Sequence, residues 1–258
     1  GLTSITITRN VSQIGIAPFS ACTQLTEINV DEANPYFSSL DGVLTDKNRT
    51  TIVAYPAGKG KRYIIPDGIT KIGTHSFFAC PITYIHTPNS VKTIELFAFA
   101  SCTDLDTIIL GNSVDSIEGA AFRINDRLKT IYSMNPIPPA AHPEAFSSFS
   151  PMFFIQCTLY VPVGSLQAYK NAEVWKNFKN IVENDFTGIE RSTPNKAKIF
   201  GNKNSIAFRN IEPDTDISIY DTTGKCIKTF AVDGDCEIPF PSGIYLIKYA
   251  GRTVKIIL

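Results

Sequence analysis

The sequence predicts a solenoid of stacked repeats followed by a small β-sandwich. Three observations predict it. A unit of 23 residues recurs with a fixed hydrophobic register. That register decays after Leu128 into a proline-rich and then an aromatic segment. From about residue 196 the pattern changes to short apolar runs punctuated by turn residues. The bulk composition agrees. The chain has 258 residues, 43% of them hydrophobic and 19% charged, with a formal net charge of zero. Such a chain can bury a core, and it lacks the charge excess of a disordered one. It also lacks the basic face that non-specific nucleic-acid binding requires. No run approaches the roughly 20 apolar residues of a membrane-spanning helix.

The repeat is read residue by residue. Leu25 follows Leu2 by 23 positions, Leu105 follows Ile82 by 23, and Leu128 follows Leu105 by 23. Within the units, Ile5, Ile85, Ile108 and Ile131 open a strand-like part. Val11, Ile69, Val91 and Val114 occupy the next apolar slot, and Ile14, Ile72, Ile94 and Ile117 follow three positions on. Phe19, Phe77, Phe99 and Phe122 come five positions later, then Cys22, Cys80, Cys102 and Asn125 three positions after those. One such unit cannot bury both faces of its strand. Stacking units makes a continuous core in which each Ile lies on the Ile of its neighbour. The cysteines of the last slot are expected to be reduced core residues with a weak S–H donor. No CxxC pair occurs, so the common structural-zinc spacing is absent. The chain opens with Gly1-Leu2-Thr3-Ser4-Ile5, already inside the pattern. An upstream segment, an export signal or further repeats, is therefore expected to have been removed.

The run Ile65-Pro66-Asp67-Gly68-Ile69-Thr70-Lys71-Ile72-Gly73 followed by Phe77-Phe78-Ala79-Cys80 resembles the BspA-type leucine-rich repeats of bacterial surface proteins. Leu40-Asp41-Gly42-Val43-Leu44 with Ile52-Val53-Ala54-Tyr55-Pro56 is similar to the hairpin that family inserts between coils. Leu159-Tyr160-Val161-Pro162 with Trp175-Lys176-Asn177-Phe178 resembles the end of its arrays. The resemblance covers residues 2 to about 184. It implies a leucine-rich-repeat solenoid, right-handed, with a parallel β-sheet on one face and few short helices. It also implies that the Cys/Asn slot hydrogen-bonds loop backbone that burial would leave unpaired.

The remaining elements follow in order. Residues 41 to 55 read as a β-hairpin around the polar turn Asp46-Lys47-Asn48-Arg49, either decorating the solenoid edge or touching a partner. Met134-Asn135-Pro136-Ile137-Pro138-Pro139 cannot continue a regular element. A C-terminal cap is expected over residues 152 to 184, with a strand at 158 to 161. Ser165 is its expected N-cap for a helix from Leu166 to about Phe178. Tyr169, Trp175 and Phe178 would cover the last coil, because an open end exposes core and strand edge. The solenoid is thus placed at residues 1 to 184 and a turn-rich linker at 185 to 195.

Residues 196 to 258 read as a β-sandwich of short strands: 206–208, 216–220, 225–230, 243–249 and 253–258. Ile219-Tyr220-Asp221, Gly224, Pro241-Ser242-Gly243-Ile244-Tyr245, Gly251 and Lys255 fall in an order similar to the C-terminal sorting domain of the bacterial type IX secretion system. That resemblance implies export across the outer membrane and attachment at the cell surface. Export would permit a disulfide between Cys226 and Cys236. A tight turn at Asp233-Gly234 would instead pair Cys236 with Ala231.

Catalytic chemistry is not legible. No G-x-S-x-G, HExxH or P-loop is present. His75, His86 and His142 have no metal-ligand spacing, and Cys157 has no nearby His to act as a base. The pairs Asp104/Asp106, Asp214/Asp216 and Asp233/Asp235 fall short of the six or more oxygens calcium takes. The sequons Asn10-Val11-Ser12 and Asn48-Arg49-Thr50 carry little meaning in a bacterium. No catalytic residue, cofactor or metal is expected, and the chain reads as a non-enzyme. The functional signal is the strand face, where Ile64, His86, Ile109 and Tyr132 should form an exposed outward row about 5 Å apart. Arg62 and Tyr84 flank it. A row with apolar and aromatic members suits a partner-binding surface, though ordinary ladder packing or cover by the hairpin would also account for it. Two readings stay open for an extracellular or surface-displayed protein. One is adhesion to a host or neighbouring-cell protein, as the family resemblance implies. The other is glycan binding or nutrient capture, with Tyr84 and Tyr132 as stacking platforms.

Overall fold

The structure is a computed structural model that describes residues 1–148, 150, 152–186, 198–202, 205–209, 211, 215–232, 236–249 and 252–258. The chain divides into two compact units, Gly1–Gly188 and Ile189–Leu258. Among the described residues no helix is long and apolar enough to cross a membrane.

The first unit is a β-solenoid whose coils have three sides. The first side is a six-stranded parallel sheet in the order Arg62–Ile64, Tyr84–His86, Thr107–Leu110, Thr130–Ser133, Thr158–Pro162 and Asn180–Asn184. Pairing runs in register from coil to coil: Ile85 beside Ile108, Ile108 beside Ile131, Ile131 beside Leu159. These side chains are fully buried. Burial of each stabilises the fold by roughly 1.5–3 kcal/mol relative to exposure.

The second side carries a further ladder. Strands Lys71–Ile72, Thr93–Ile94, Ser116–Ile117 and Ala140–Ala141 pair in parallel and bury Ile72, Ile94 and Ile117. The solenoid therefore has β-ladders on two sides, where one sheet was expected. Strands of two residues are too short to carry a period-2 signal. The third side is a stack of turns. Each turn holds two residues in the left-handed region: His75 and Ala79, Phe97 and Ser101, Ala120 and Ile124. None is glycine, so each costs of order 1–3 kcal/mol. Bonds between coils hold them there, including Phe77 N–H to Ala98 O at 2.8 Å and Phe99 N–H to Ala121 O at 2.8 Å.

Inside these three sides runs an aromatic spine. The ring centroids of Tyr55 and Phe77 lie 4.9 Å apart, Phe77 and Phe99 4.8 Å, Phe99 and Phe122 5.3 Å, and Phe122 and Phe146 5.1 Å. In the later coils the slot three residues after the Phe acts as the family resemblance implied. Cys102 Sγ donates to Phe77 O at 3.0 Å, and Asn125 Nδ2 donates to Phe99 O at 2.9 Å. Both side chains satisfy a buried carbonyl of the preceding coil.

The hairpin is built into the solenoid rather than set on its edge. It is a three-strand meander of Phe37–Leu40, Val43–Asp46 and Thr51–Ala54. Its last strand pairs in parallel with Lys71–Ile72, placing Ile52 beside Ile72. The insert thereby supplies the first parallel rung of the second ladder. It also interrupts the first side, because Glu27–Val30 pairs only with Ser4–Ile7 among the described strands. Ile28 N–H bonds instead to Gly42 O at 2.8 Å. The two segments are tied again at Gly58, whose N–H donates to Leu25 O at 2.8 Å. A Cβ there would lie 2.6 Å from Thr23 O, so the close approach requires glycine. The first coil is less well covered than the others. Ile5, Ile14, Phe19 and Cys22 are half-buried, whereas their counterparts Ile85, Ile94, Phe99 and Cys102 are inaccessible.

The far end is capped by aromatics. Trp175 and Tyr169 are fully buried, and Phe178 nearly so. Trp175 Nε1 donates to Pro139 O at 2.7 Å, and Tyr169 OH donates to Asn135 O at 2.7 Å. The expected single helix is two pieces, an α-helix Leu166–Asn171 and a 3-10 turn Trp175–Asn177. Val174, at φ 71, breaks the chain direction between them. Ser165 makes no capping bond. Glu183 Oε1 takes its place, accepting from Gly164 N–H at 2.8 Å and Leu166 N–H at 3.2 Å.

The second unit has two antiparallel sheets. One contains Lys198–Asn202, Ser205–Arg209 and Cys236–Pro239. The other runs in the order Cys226–Val232, Thr215–Tyr220, Ile244–Tyr249, Arg252–Ile257. Ile206, Phe208, Ile217, Ile219 and Ile247 form the centre of its core. Among the described residues Cys236 pairs with Phe208 and Ala231 with Asp216, and their strands lie in different sheets, so Cys236 is not paired with Ala231. Cys226 is a free thiol, so it forms no disulfide with Cys236. The linker at 185 to 195 lies outside the described residues beyond Phe186.

Candidate functional site

In a parallel in-register sheet, alternate residues of every strand stand on the same side, so equivalent positions form columns. On the first side of the solenoid the inward column is Tyr63, Ile85, Ile108, Ile131, Leu159 and Ile181. The outward column is Ile64, His86, Ile109 and Tyr132, as the spacing implied, and it continues through Tyr160 to Val182. A second outward column begins with Arg62 and Tyr84 and continues through Thr107, Thr130, Thr158 and Asn180. The continuation to Tyr160 was visible in Leu159-Tyr160-Val161, but the irregular spacing after Leu128 hid its register.

Three contacts organise this face. The Arg62 guanidinium lies 4.0 Å from the centre of the Tyr84 ring, a cation–π pair. Tyr132 and Tyr160 stack with centroids 4.8 Å apart and planes inclined by 18°. Phe186 meets Tyr132 edge-on at 6.4 Å. Burial departs from the sequence expectation in the middle of the row. His86 is 8% exposed and Ile109 3%. Ile109 is flanked in register by His86 and Tyr132, and rings on both sides leave little of a shorter chain to water. The accessible parts are the two ends, Arg62 and Ile64 with Tyr84, and Tyr132 with Tyr160 and Val182. Val182 is 43% exposed.

The groups that might carry chemistry are dispersed or occupied. His75 stacks on Phe97 at 4.9 Å on the turn side, His86 stands on the sheet, and His142 adjoins Gly119. Burial lowers the His75 pKa. Burial pushes the thiols of Cys80 and Cys157 up to about 12, and that of Cys102 well above its ordinary value. A thiol held protonated is a poor nucleophile and a poor metal ligand. Asp104 pairs with Arg127 at 2.8 Å and Asp106 with Lys129 at 3.5 Å, so each bridges successive coils. Asp214, Asp233 and Asp235 lie outside the described residues. Among the described residues no group of three or more His, Cys, Asp or Glu could hold a metal.

A family model described as a BspA type leucine rich repeat region matches residues 1–40 and 56–159 in 6 copies. No curated protein matches the chain. The crystal structure of the pneumococcal vaccine antigen PcpA is similar over 71% of this chain and 56% of its own, at 19% identity and a TM-score of 0.47. A leucine-rich repeat protein from Eubacterium ventriosum is similar over 71% of this chain and 57% of its own, at 18% identity and a TM-score of 0.41. A leucine rich cell surface protein from Faecalibacterium prausnitzii is similar over 75% and 50%, at 21% identity and a TM-score of 0.41. The chain thus spans between 50% and 57% of the length of these three proteins.

Proposed function

The chain belongs to the BspA-type leucine-rich-repeat family, and from that premise we propose that it is a secreted or surface-displayed bacterial protein that binds a protein partner without catalysis. The accessible end of the outward column, Tyr132, Tyr160 and Val182, carries this reading. It is an uncharged aromatic and aliphatic patch on a rigid sheet, and interfaces draw their affinity from such residues. Arg62, Ile64 and Tyr84 mark the other end of the same face, with His86 and Ile109 forming the packed strip between the two ends. The Tyr132 and Tyr160 rings are stacked on one another, which leaves fewer ring faces for a sugar and favours a protein over a glycan.

The test uses the whole chain immobilised against a panel of purified fibronectin, laminin and collagen, in parallel with a glycan array. Retention of at least one matrix protein and no glycan is the expected result. Replacing both Tyr84 and Tyr132 with Ala should then weaken binding about tenfold or more, given typical aromatic contributions at interfaces. The thermal melt should stay close to that of the parent chain. Undiminished binding by the double variant would rule out this face, and glycan binding alone would favour nutrient capture.

The second unit is proposed to be an export and attachment module, on its resemblance to the type IX sorting domain. Its turn after Tyr220 is well fixed. Asp221 Oδ1 accepts from Thr223 N–H at 2.9 Å, Thr223 OH at 2.6 Å and Lys225 N–H at 3.0 Å. Fusing residues 189–258 to a periplasmic carrier in a bacterium with that pathway should deliver the carrier to the cell exterior. A carrier retained in the periplasm would refute the assignment.

A further inference from the structure

At the corner between the second ladder and the turns, one coil is thinner than its neighbours. Ile94 pairs with Ile117 and Ile117 with Ala141. Gly119 and Ala120 consequently take the positions that Leu96 and Phe97 hold one coil earlier and Pro143 and Glu144 one coil later. The missing side chains leave an open groove of about 590 Å³. Its floor is Gly119, Ala120 and Ile117, and its walls are Leu96 with Phe97 on one side and His142 with Glu144 on the other.

The groove narrows at its floor to less than one side chain: a carbon built on Gly119 would lie 3.4 Å from Leu96 Cδ1 and 3.3 Å from His142 Nδ1, so both walls must yield by a few tenths of an ångström to admit one there. Leu96 is 40% exposed, an apolar group turned to water beside that gap. Backbone bonds at the floor are already made, with Phe97 N–H donating to Gly119 O at 3.3 Å and His142 N–H to Ile117 O at 2.9 Å. An occupant would therefore bind through side chains and not by adding a strand. Among the described residues the only formally charged ones lining the groove are Glu118 and Glu144, both exposed. One Glu118 oxygen already accepts Leu96 N–H at 3.0 Å, which fixes that carboxylate at the rim.

We propose that this groove binds an extended segment of a protein partner that sets one leucine-like side chain over Gly119, with Lys or Arg beside it facing Glu118 and Glu144. The apolar floor and the narrowing walls select the aliphatic chain. Two carboxylates and no lining cation among the described residues select the basic flank, because like charges oppose and opposite charges assist docking. This surface lies on a different side of the coil from the tyrosine face and stands or falls separately from it.

The experiment is an amide-resonance titration of the whole chain with the blocked tripeptide Lys-Leu-Lys. Two further blocked tripeptides, Glu-Leu-Glu and Lys-Ser-Lys, serve as comparisons. Saturable shifts should concentrate at Leu96, Gly119, Ala120 and Ala141 with Lys-Leu-Lys. They should be about fivefold weaker with Glu-Leu-Glu, as expected for two exposed charge pairs, and absent with Lys-Ser-Lys. Gly119→Leu, which fills the groove, should abolish them. Glu144→Lys, a change on an exposed turn, should weaken Lys-Leu-Lys and strengthen Glu-Leu-Glu. The Tyr84 and Tyr132 double variant should leave all three titrations unchanged. Shifts absent with Lys-Leu-Lys, equal for the three peptides, or undiminished in a folded Gly119→Leu chain would overturn the proposal.

Discussion

Replacing Phe99 with Ala is expected to destabilise the solenoid by about 3–5 kcal/mol. Phe99 is fully buried in the aromatic spine, with Phe77 at 4.8 Å and Phe122 at 5.3 Å. Truncation removes its apolar surface from the core and leaves a cavity. That cavity lies between the Phe77 and Phe122 rings, and the backbone beside it is fixed, because Phe99 N–H is bonded to Ala121 O and its carbonyl to Asn125 Nδ2. A rod of stacked coils cannot easily close such a gap, since both neighbours are held by ladders on two sides and by bonds between turns on the third. Phe19 is the matching residue of the first coil and is only half-buried. Phe19→Ala should therefore cost well under half as much. Urea unfolding of both variants checks the pair. Equal losses would mean that the first coil is as well covered as the middle ones.

Replacing Trp175 with Ala is expected to cost a similar amount, about 3–5 kcal/mol, and to act from one end. Trp175 lies against Phe146 at 5.5 Å, Tyr169 at 5.5 Å and Phe178 at 6.1 Å. Its indole N–H also satisfies Pro139 O in a segment whose prolines cannot extend a ladder. Without the ring, that carbonyl and the core of the last coil open to water. Because each coil contacts only its neighbours, loss should spread from the cap inward. Hydrogen exchange should show Thr158–Pro162 and Thr130–Ser133 losing protection before Tyr84–His86. Uniform loss along the rod would contradict a terminal role.

The parts of this fold that the sequence made legible are those that repeat. Ile85, Ile108 and Ile131 announced both the inward column and, by alternation, the outward one. Phe77, Phe99 and Phe122 announced the spine, and the Cys/Asn slot its carbonyl-satisfying role. What stayed hidden arises where structure is set by tertiary bonds. Ile72, Ile94 and Ile117 were recognised as a slot, yet two-residue strands give no periodic signal. Ala79, Ser101 and Ile124 adopt positive φ without the glycine that would have flagged them. Glu183, distant in sequence, caps the helix that Ser165 was expected to cap. The hairpin joined the second ladder because Ile52 offers the rung that Ile72 needs. In the second unit, Lys198–Asn202 and Cys236–Pro239 were missed as strands, the former at a domain boundary and the latter beside a turn-like Asp-Gly pair.

The register of the strand row is legible in the sequence, and its exposure is not. Spacing alone places Ile64, His86, Ile109 and Tyr132 in one column. It does not report that the rings around Ile109 close over it. The groove at Gly119 left a different kind of trace. Gly119-Ala120 break a column occupied by Leu96-Phe97, and a deviation from the repeat can be seen only once the register of the repeat is known.

Methyl-selective isotope labelling of the isoleucines tests the stacked ladder most directly. Neighbouring coils are about 4.8 Å apart and alternate coils about twice that. The δ1 methyls of Ile85 and Ile108 should share a strong nuclear Overhauser contact, as should those of Ile108 and Ile131, while Ile85 and Ile131 share almost none. Absence of the two neighbouring contacts, or fast quenching of these methyls by a water-soluble spin probe, would contradict the stacked core.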